Sequence, residues 1–128
     1  MKGGANRLRI RPLSKYYNRP CSYVGVGCAY EELGLGDFDP DLPEGLKDDG
    51  YLSLDNANRF VRQFLKVRKK QYFKRSERIT LEEFLENNKE KCCICVLGHF
   101  IYADNGDYWS FFDNSEDKVV CVWYLKEG

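Results

Sequence analysis

One stretch near the C-terminus, residues 92–114 (CCICVLGHFIYADNGDYWSFFDN), does most to limit what this chain can fold into. An apolar run and an aromatic run flank the dipeptide Asn105-Gly106. This dipeptide favours a two-residue hairpin turn because both residues tolerate positive φ. Strands that pair across the turn set Asp104 opposite Asp107. The sequence therefore predicts a β-hairpin.

The only histidine of the chain, His99, lies within the first predicted strand of this hairpin. Counting back from the turn sets His99 opposite Phe112. Because side chains alternate between the two faces of a strand, His99 then shares a face with Ser110 and Asn114. A wider loop or a bulge would bring Asp113 to that face instead. The hairpin thus predicts an imidazole next to a polar group that could orient it.

The length of 128 residues favours a single domain over 1–128 with a sizeable core. Aromatic content of 15% and hydrophobic content of 43% favour a folded chain over a disordered one. No apolar signal segment or membrane-length apolar run is visible in the sequence. We therefore expect a soluble, cytoplasmic protein with reduced thiols and no membrane partner.

The net charge is zero, but the charges are segregated along the chain. A basic arm covers 1–17, an acidic loop rich in Gly, Pro and Asp covers 34–51, and nine bases lie in 59–78 with one acid. Such charge runs are usually solvated surfaces, and the alternative interpretation is a surface that binds nucleic acid. No aromatic-interleaved motif accompanies the bases, so nucleic acid is an unlikely partner.

The remaining pattern predicts an α+β fold. A capping box at Thr80, with Glu83 three residues later, predicts the start of a short helix, and Ile79 and Phe84 form its hydrophobic staple. The other predicted elements are a buried helix over 20–33, a helix from 53 to about 67, a short strand within 71–79 and a final strand over 118–125. Three helices, the first of them buried, should therefore pack on an antiparallel sheet of at least three strands.

Cys21 has two interpretations. It lies in the first turn of the first predicted helix, where free backbone N–H groups and the helix dipole stabilise a thiolate. A cysteine at a helix start, with a histidine elsewhere in the chain, is typical of a cysteine nucleophile. The alternative is that Cys21 is a small buried hydrophobe, as most free cysteines are. Cys28, two turns further along the helix, is predicted to be core.

Four further cysteines could suggest a metal site that includes His99, but their spacing argues against it. They are Cys92, Cys93, Cys95 and Cys121. Neighbouring residues of a strand point to opposite faces, which does not suit a zinc site. These cysteines are therefore predicted to lie in the strand core, and no metal or cofactor is predicted.

Several motifs together resemble the papain-like cysteine peptidase domains of phage and bacterial proteins. They are the helix entry Asn18-Arg19-Pro20-Cys21-Ser22, the helix ITLEEFLENN, and GHFIYADNGDYWSFFDNSEDKVVCVWYL with its Gly-His strand and closing Trp. The resemblance implies a papain-like fold in which Cys21 is the nucleophile and His99 the base. We assign the oxyanion donor to the Cys21 backbone N–H together with Asn18.

The chain departs from that family pattern at two positions. Pro20 stands where the family often has Asp, and Ser110 stands where the second strand usually carries the acid of the triad. The orienting role would then pass to Asn114 or to Asp113, with Asn114 favoured by the turn counting.

The resemblance implies a thiol-dependent hydrolase, phage-encoded, that acts on an amide or acyl bond of a protein or peptide in the host cytoplasm. A first alternative is a papain-like fold with a decayed triad that binds or inhibits a host protein, and Ser110 favours this alternative. A second alternative is a nucleic-acid-binding module that uses the basic segment 59–78.

Overall fold

The computed structural model describes residues 7–9, 22–39, 54–97, 99–110 and 113–126. Its helices are α1 (Ser22–Glu32), α2 (Leu54–Phe64) and α3 (Leu81–Asn87), with a short 3-10 helix at Arg75–Glu77. Its strands are β1 (Arg7–Arg9), β2 (Val67–Tyr72), β3 (Cys92–Val96), β4 (His99–Asp104), β5 (Asp107–Trp109) and β6 (Val119–Leu125). The predicted α+β class, with helices packed on a sheet, is confirmed. In the described ranges no helix is long and apolar enough to cross a membrane.

The six strands form one sheet in the order β1-β5-β4-β3-β6-β2. The pairs from β5 to β2 are antiparallel, whereas β1 joins the edge in parallel with β5. All seven residues of β6 are buried, which is typical of a strand covered on both faces. The prediction of at least three antiparallel strands is therefore confirmed.

The predicted Asn105-Gly106 turn joins β4 to β5. Both residues have positive φ, 54° and 86°, as a primed turn requires, and Asp104 pairs with Asp107 as predicted. The prediction of a single strand before this turn was wrong. The chain leaves β3 after Val96 and enters β4 at His99, and the two residues pair with each other.

One face of the sheet packs against α1 and α2, and we call it the α1 face. Its core combines aromatic rings with thiols: Phe38, Phe60, Cys93, Phe100, Tyr102, Trp109, Cys121 and Trp123. Gly25 of α1 lies directly against Phe100, because a Cβ at this position would overlap the Phe100 ring. The absence of a side chain at Gly25 therefore lets α1 approach β4 closely.

The opposite face packs against α3, and we call it the α3 face. Its core is mainly aliphatic: Leu81, Leu85, Ile94, Val96, Ile101, Val119 and Val122, with Phe84, Tyr108 and Tyr124. The predicted cap of α3 is confirmed, since the Thr80 hydroxyl accepts a hydrogen bond of 3.2 Å from the Glu83 backbone N–H.

The predicted end of α2 was wrong. The helix ends at Phe64 rather than near 67, and Val67 begins β2. The exposed bases of this segment resemble the water face of a helix, but pairing with β6 decides the conformation. The Lys126 N–H extends that ladder by donating to the Lys66 carbonyl at 2.9 Å.

Candidate functional site

Two residues of the predicted site, Cys21 and Asn18, lie outside the described residues. α1 begins at Ser22, the next residue after Cys21. That Cys21 is the nucleophile and His99 the base therefore stays a prediction.

The N-terminal half of α1 lies over the start of β4. A Cβ at Gly25 would overlap the ring of Phe100 and lie 3.1 Å from the Ile101 carbonyl oxygen. The Cys93 thiol on β3 reaches the Gly25 carbonyl oxygen at 3.8 Å. Since Phe100 follows His99 directly, this half of α1 and the histidine lie at the same end of the sheet.

His99 is the first residue of β4 and is half-buried. It pairs with Val96 at the beginning of the strand, one residue before Phe100 of the α1 face. Burial lowers the pKa of the imidazole from 6.5, and the negative charge of Asp117 opposes that shift. His99 is therefore mainly neutral at pH 7, which is the form that can accept a proton.

Asn114 is buried, with 1% of its surface exposed, and its polar atoms have specific partners. Its Oδ1 accepts from the Ser110 hydroxyl at 2.5 Å, and its Nδ2 donates to Asp117 Oδ2 at 2.7 Å. Its backbone N–H donates to the Tyr108 hydroxyl at 3.1 Å. These bonds join Asn114 to residues of the α3 face.

Asp113 is exposed and is bound to its own turn. Its Oδ1 accepts from the Tyr108 hydroxyl at 2.9 Å and from the Ser115 backbone N–H at 2.8 Å. The bonds from Ser115 and then Tyr108 lower the pKa of this carboxyl. Asp113 therefore acts here as an acceptor that fixes the turn after β5.

Asp117 is the functional residue that sequence reasoning missed. Its carboxylate accepts from Asn114, and its charge raises the pKa of His99. The signal in the sequence was an acid three residues after Asn114 and two before the last strand. It was overlooked because the predicted hairpin was taken to end at Asn114.

The cysteines predicted to be core are confirmed as such. Cys28, Cys92, Cys93 and Cys121 are buried, and Cys95 is half-buried. Cys92 belongs to the α3 face and Cys93 to the α1 face, as strand alternation predicts. Burial raises the pKa of the Cys92, Cys93 and Cys121 thiols, which makes them poor nucleophiles at neutral pH.

The bases of segment 59–78 are divided between two elements and make contacts within the fold. Arg62 on α2 donates to Asn58 at 3.0 Å. On β2, Arg68 forms an ion pair with Glu90, and the Lys69 ammonium lies 4.9 Å from the centre of the Tyr124 ring. That no nucleic acid binds tightly to this surface stays a prediction.

Two surface cavities in the described part of the chain have different linings. One of about 480 Å³ is polar: Arg68, Lys89, Glu90, Lys91, Asp104, Leu125 and Lys126. The other, of about 310 Å³, is mainly apolar: Tyr30, Leu33, Leu35, Phe64, Lys66 and Lys126. Neither is lined by His99, so neither is assigned to the chemistry of the imidazole.

Comparison of the chain with protein-family models, with curated proteins and with solved structures returned no match. The described residues supply a half-buried imidazole, a carboxylate whose charge raises the pKa of that imidazole, and a helix whose first described residue follows a cysteine in the sequence. In chemical terms, these are the components of a base-assisted thiol nucleophile.

Proposed function

We propose that the chain is a thiol-dependent hydrolase in which Cys21 is the nucleophile and His99 the general base. Its substrate is an amide or acyl bond in a protein or peptide. One observation carries the proposal: the N-terminal half of α1, whose first described residue follows Cys21 in the sequence, lies over the start of β4, and His99 is the first residue of that strand.

The position of the cysteine in the sequence supports thiolate formation. Ser22 is the first described residue of α1, and Cys21 is its neighbour in the sequence. The unsatisfied N–H groups of a first helical turn carry partial positive charge, and this charge favours an anion close by. The five cysteines that the structure describes lie in the packed core, except for Cys95, which is half-buried in a strand. Cys21 is therefore the cysteine whose sequence position best suits a nucleophile.

The reaction follows the usual course of cysteine acyl transfer. The neutral imidazole of His99 takes the thiol proton, and the thiolate attacks the substrate carbonyl carbon to form a tetrahedral intermediate. The intermediate collapses to a thioester as the imidazolium returns the proton to the leaving amine or alcohol. Water then attacks the thioester with His99 again as base, which releases the acid and restores the thiol. The Cys21 N–H and Asn18 are assigned to the developing oxyanion.

Selective alkylation tests the proposal. Iodoacetamide should label Cys21 ahead of the other five cysteines, and well below the ordinary thiol pKa of about 8.5, with each site followed by peptide mass spectrometry. His99→Ala should slow this labelling at neutral pH, because the ion pair that favours the thiolate is lost. Cys21→Ser should abolish the release of p-nitrophenol from p-nitrophenyl acetate.

Cys95→Ser is the matched control because Cys95 is half-buried in a strand. This variant should retain both the labelling of Cys21 and the ester hydrolysis. If Cys21 is labelled no faster than Cys95, and His99→Ala has no effect, the hydrolase proposal fails.

A specific observation favours a second candidate, a papain-like protein that binds a host protein without catalysis. Ser110 occupies the position where the resembling family carries its acid, and its hydroxyl is directed to Asn114. Asn114 in turn is bound on the α3 face, whereas α1 packs on the opposite face. Under this candidate, Cys21→Ser leaves partner binding intact, and affinity capture with the Cys21→Ser and wild-type chains recovers the same protein.

A further inference from the structure

The segment that leads into β6 crosses the end of the sheet at which β4 begins, because it starts after β5 on one side of β4 and β3 and enters β6 on the other side. The Leu97 backbone N–H donates to the Lys118 carbonyl at 3.0 Å. Val96 pairs with His99 on one side and with Val119 on the other. Asp117, the residue before Lys118, therefore lies close to the point where the chain enters β4 at His99.

Two hydrogen bonds fix the backbone of Asp117, one to α3 and one to the preceding loop. Its carbonyl accepts from the Leu81 N–H, the first residue of α3, at 2.8 Å. Its own N–H donates to the Asn114 carbonyl at 3.0 Å. Ser115 adds a further tie to α3, because its carbonyl accepts from the Glu82 N–H at 2.9 Å. The backbone of Asp117, which carries the carboxylate, is therefore held in a fixed position.

A directed chain of hydrogen bonds ends on that carboxylate. The Ser110 hydroxyl donates to the Asn114 amide oxygen, and the Asn114 amide nitrogen donates to Asp117 Oδ2. Ser110 and Asn114 are 4% and 1% exposed, so water competes little for these bonds. Every donor in the chain points toward Asp117, and hydrogen bonds to a carboxylate stabilise its charged form.

We infer that Asp117 is the positioning residue of His99, and that it takes the role which the resembling family gives to an acid at the position of Ser110. In this arrangement Ser110 and Asn114 hold the acid instead of replacing it. The Asp117 carboxylate stabilises the imidazolium that forms when His99 takes a proton. The catalytic consequence depends on the proposed function, whereas the pairing of Asp117 with His99 does not.

Other charged groups lie in the segments that neighbour His99. On the β5 side, Asp113 binds Tyr108 and Ser115. At the entry to β6, Lys118 carries the opposite charge, which would lower the pKa of an imidazole rather than raise it. Glu82 at the start of α3 is tied by its backbone N–H to Ser115. Among the described residues, Asp117 is the group whose charge raises the pKa of His99.

The single histidine of the chain makes a direct test available. One imidazole Cε1–H signal in an NMR titration reports the pKa of His99 without assignment by mutation. Asp117→Asn keeps an oxygen that can accept from Asn114 and removes only the charge. We expect this variant to shift the His99 midpoint to lower pH, with an unfolding temperature close to that of the wild type.

Two variants make the titration specific. Glu116→Gln removes an exposed carboxylate next to Asp117 and should leave the His99 midpoint unchanged. Asp113→Asn should also leave it unchanged, because Asp113 is directed to its own turn. If Asp113→Asn lowers the midpoint and Asp117→Asn does not, the assignment is overturned in favour of Asp113. It is likewise overturned if neither variant moves the midpoint.

Alkylation connects the pairing to catalysis and separates two failures. Asp117→Asn should slow the iodoacetamide labelling of Cys21 at neutral pH, though less than His99→Ala does. If the midpoint shifts but Cys21 is unreactive in every variant, the pairing stands and the hydrolase proposal falls. If Cys21 is reactive but the midpoint does not shift, the hydrolase proposal stands and the pairing of Asp117 with His99 falls.

Discussion

The two faces of this sheet differ in what holds them together. The α1 face is the richer of the two in aromatic rings and thiols, and its tilted ring pairs Phe100–Trp123 and Tyr102–Trp109 lie 5.4 Å and 5.0 Å apart between ring centres. The α3 face has an aliphatic core, but at its edge it buries the polar pair Ser110 and Asn114. Close packing of side chains stabilises the α1 face, whereas the α3 face also requires hydrogen bonds with defined donors and acceptors.

The two faces therefore contribute differently to the stability of the fold and to the chemistry of the proposed site. An aromatic core tolerates few changes of volume, and it places α1 rigidly over β4. A buried polar group fixes the positions of charges, because each donor must find its acceptor in a low-dielectric setting. The proposed hydrolase would use both faces: the α1 face to position the helix of the nucleophile, and the α3 face to position the acid beside His99.

The largest effect should come from the α1 face. Trp123 is fully buried, contacts Phe100, and donates from its indole N–H to Asn58 at 3.0 Å. Trp123→Ala should lower the free energy of unfolding by about 3–5 kcal/mol, because it leaves a large cavity in the core of the α1 face. Urea denaturation followed by circular dichroism measures this loss.

Trp123→Phe is the matched variant, since it keeps a ring against Phe100 and removes mainly the indole N–H. Its loss should be clearly smaller than that of Trp123→Ala. Equal losses for the two variants would mean that the bond to Asn58, and not the packing, dominates this face.

A smaller loss is expected on the α3 face from Asn114→Ala. The substitution leaves the Ser110 hydroxyl without its acceptor and the Asp117 carboxylate without a donor, which should cost about 1–3 kcal/mol of unfolding free energy. Ser110→Ala removes one bond of the chain and should cost less. A loss from Asn114→Ala that matches Trp123→Ala would contradict the contrast between the two faces.

The local signals of the fold could be predicted from the sequence. The Asn105-Gly106 turn and the Thr80 cap each depend on residues within four positions, and both are as predicted. The strand β2 could not be predicted in the same way. Its segment VRKKQY continues the charge pattern of α2, and only its pairing with β6, about fifty residues later, makes it a strand.

The same limit applies to the candidate site. His99 could be selected because it is the only histidine, and Asn114 because strand alternation sets it on the same face. Asp117 has no such pattern, since it lies in the irregular turn that precedes β6. Its position depends on the Leu81 N–H and on Asn114, contacts that only the folded chain brings together.

A modest effect is expected at the start of α3. Thr80→Ala removes the side-chain acceptor of the Glu83 N–H and should cost about 1 kcal/mol of unfolding free energy. Thr80→Ser keeps the hydroxyl and should retain most of the stability in the same urea measurement. Because Leu81 of this helix donates to the Asp117 carbonyl, Thr80→Ala should also disturb the His99 titration more than Thr80→Ser does.

The smallest effect is a dependence of stability on pH that comes from His99 alone. Burial lowers its pKa in the folded state below the ordinary 6.5, so near that pH the unfolded chain binds more protons than the folded one. The contribution of the neutral histidine to stability is complete above pH 6.5 and is lost as the pH falls through that value toward the lower folded-state pKa. Urea denaturation between about pH 5.5 and 7.5, where carboxylates and thiols titrate little, isolates it.

His99→Gln supplies the reference curve, because glutamine does not titrate and the chain has no other histidine. The difference in unfolding free energy between the wild type and His99→Gln should become less favourable to the wild type as the pH falls. Asp117→Asn should strengthen this decline, since it removes the charge that offsets the burial of His99. A wild type that gains stability relative to His99→Gln at lower pH would show that the attraction of Asp117 outweighs burial. The folded-state pKa of His99 would then lie above 6.5, and the imidazole would enter the reaction already charged.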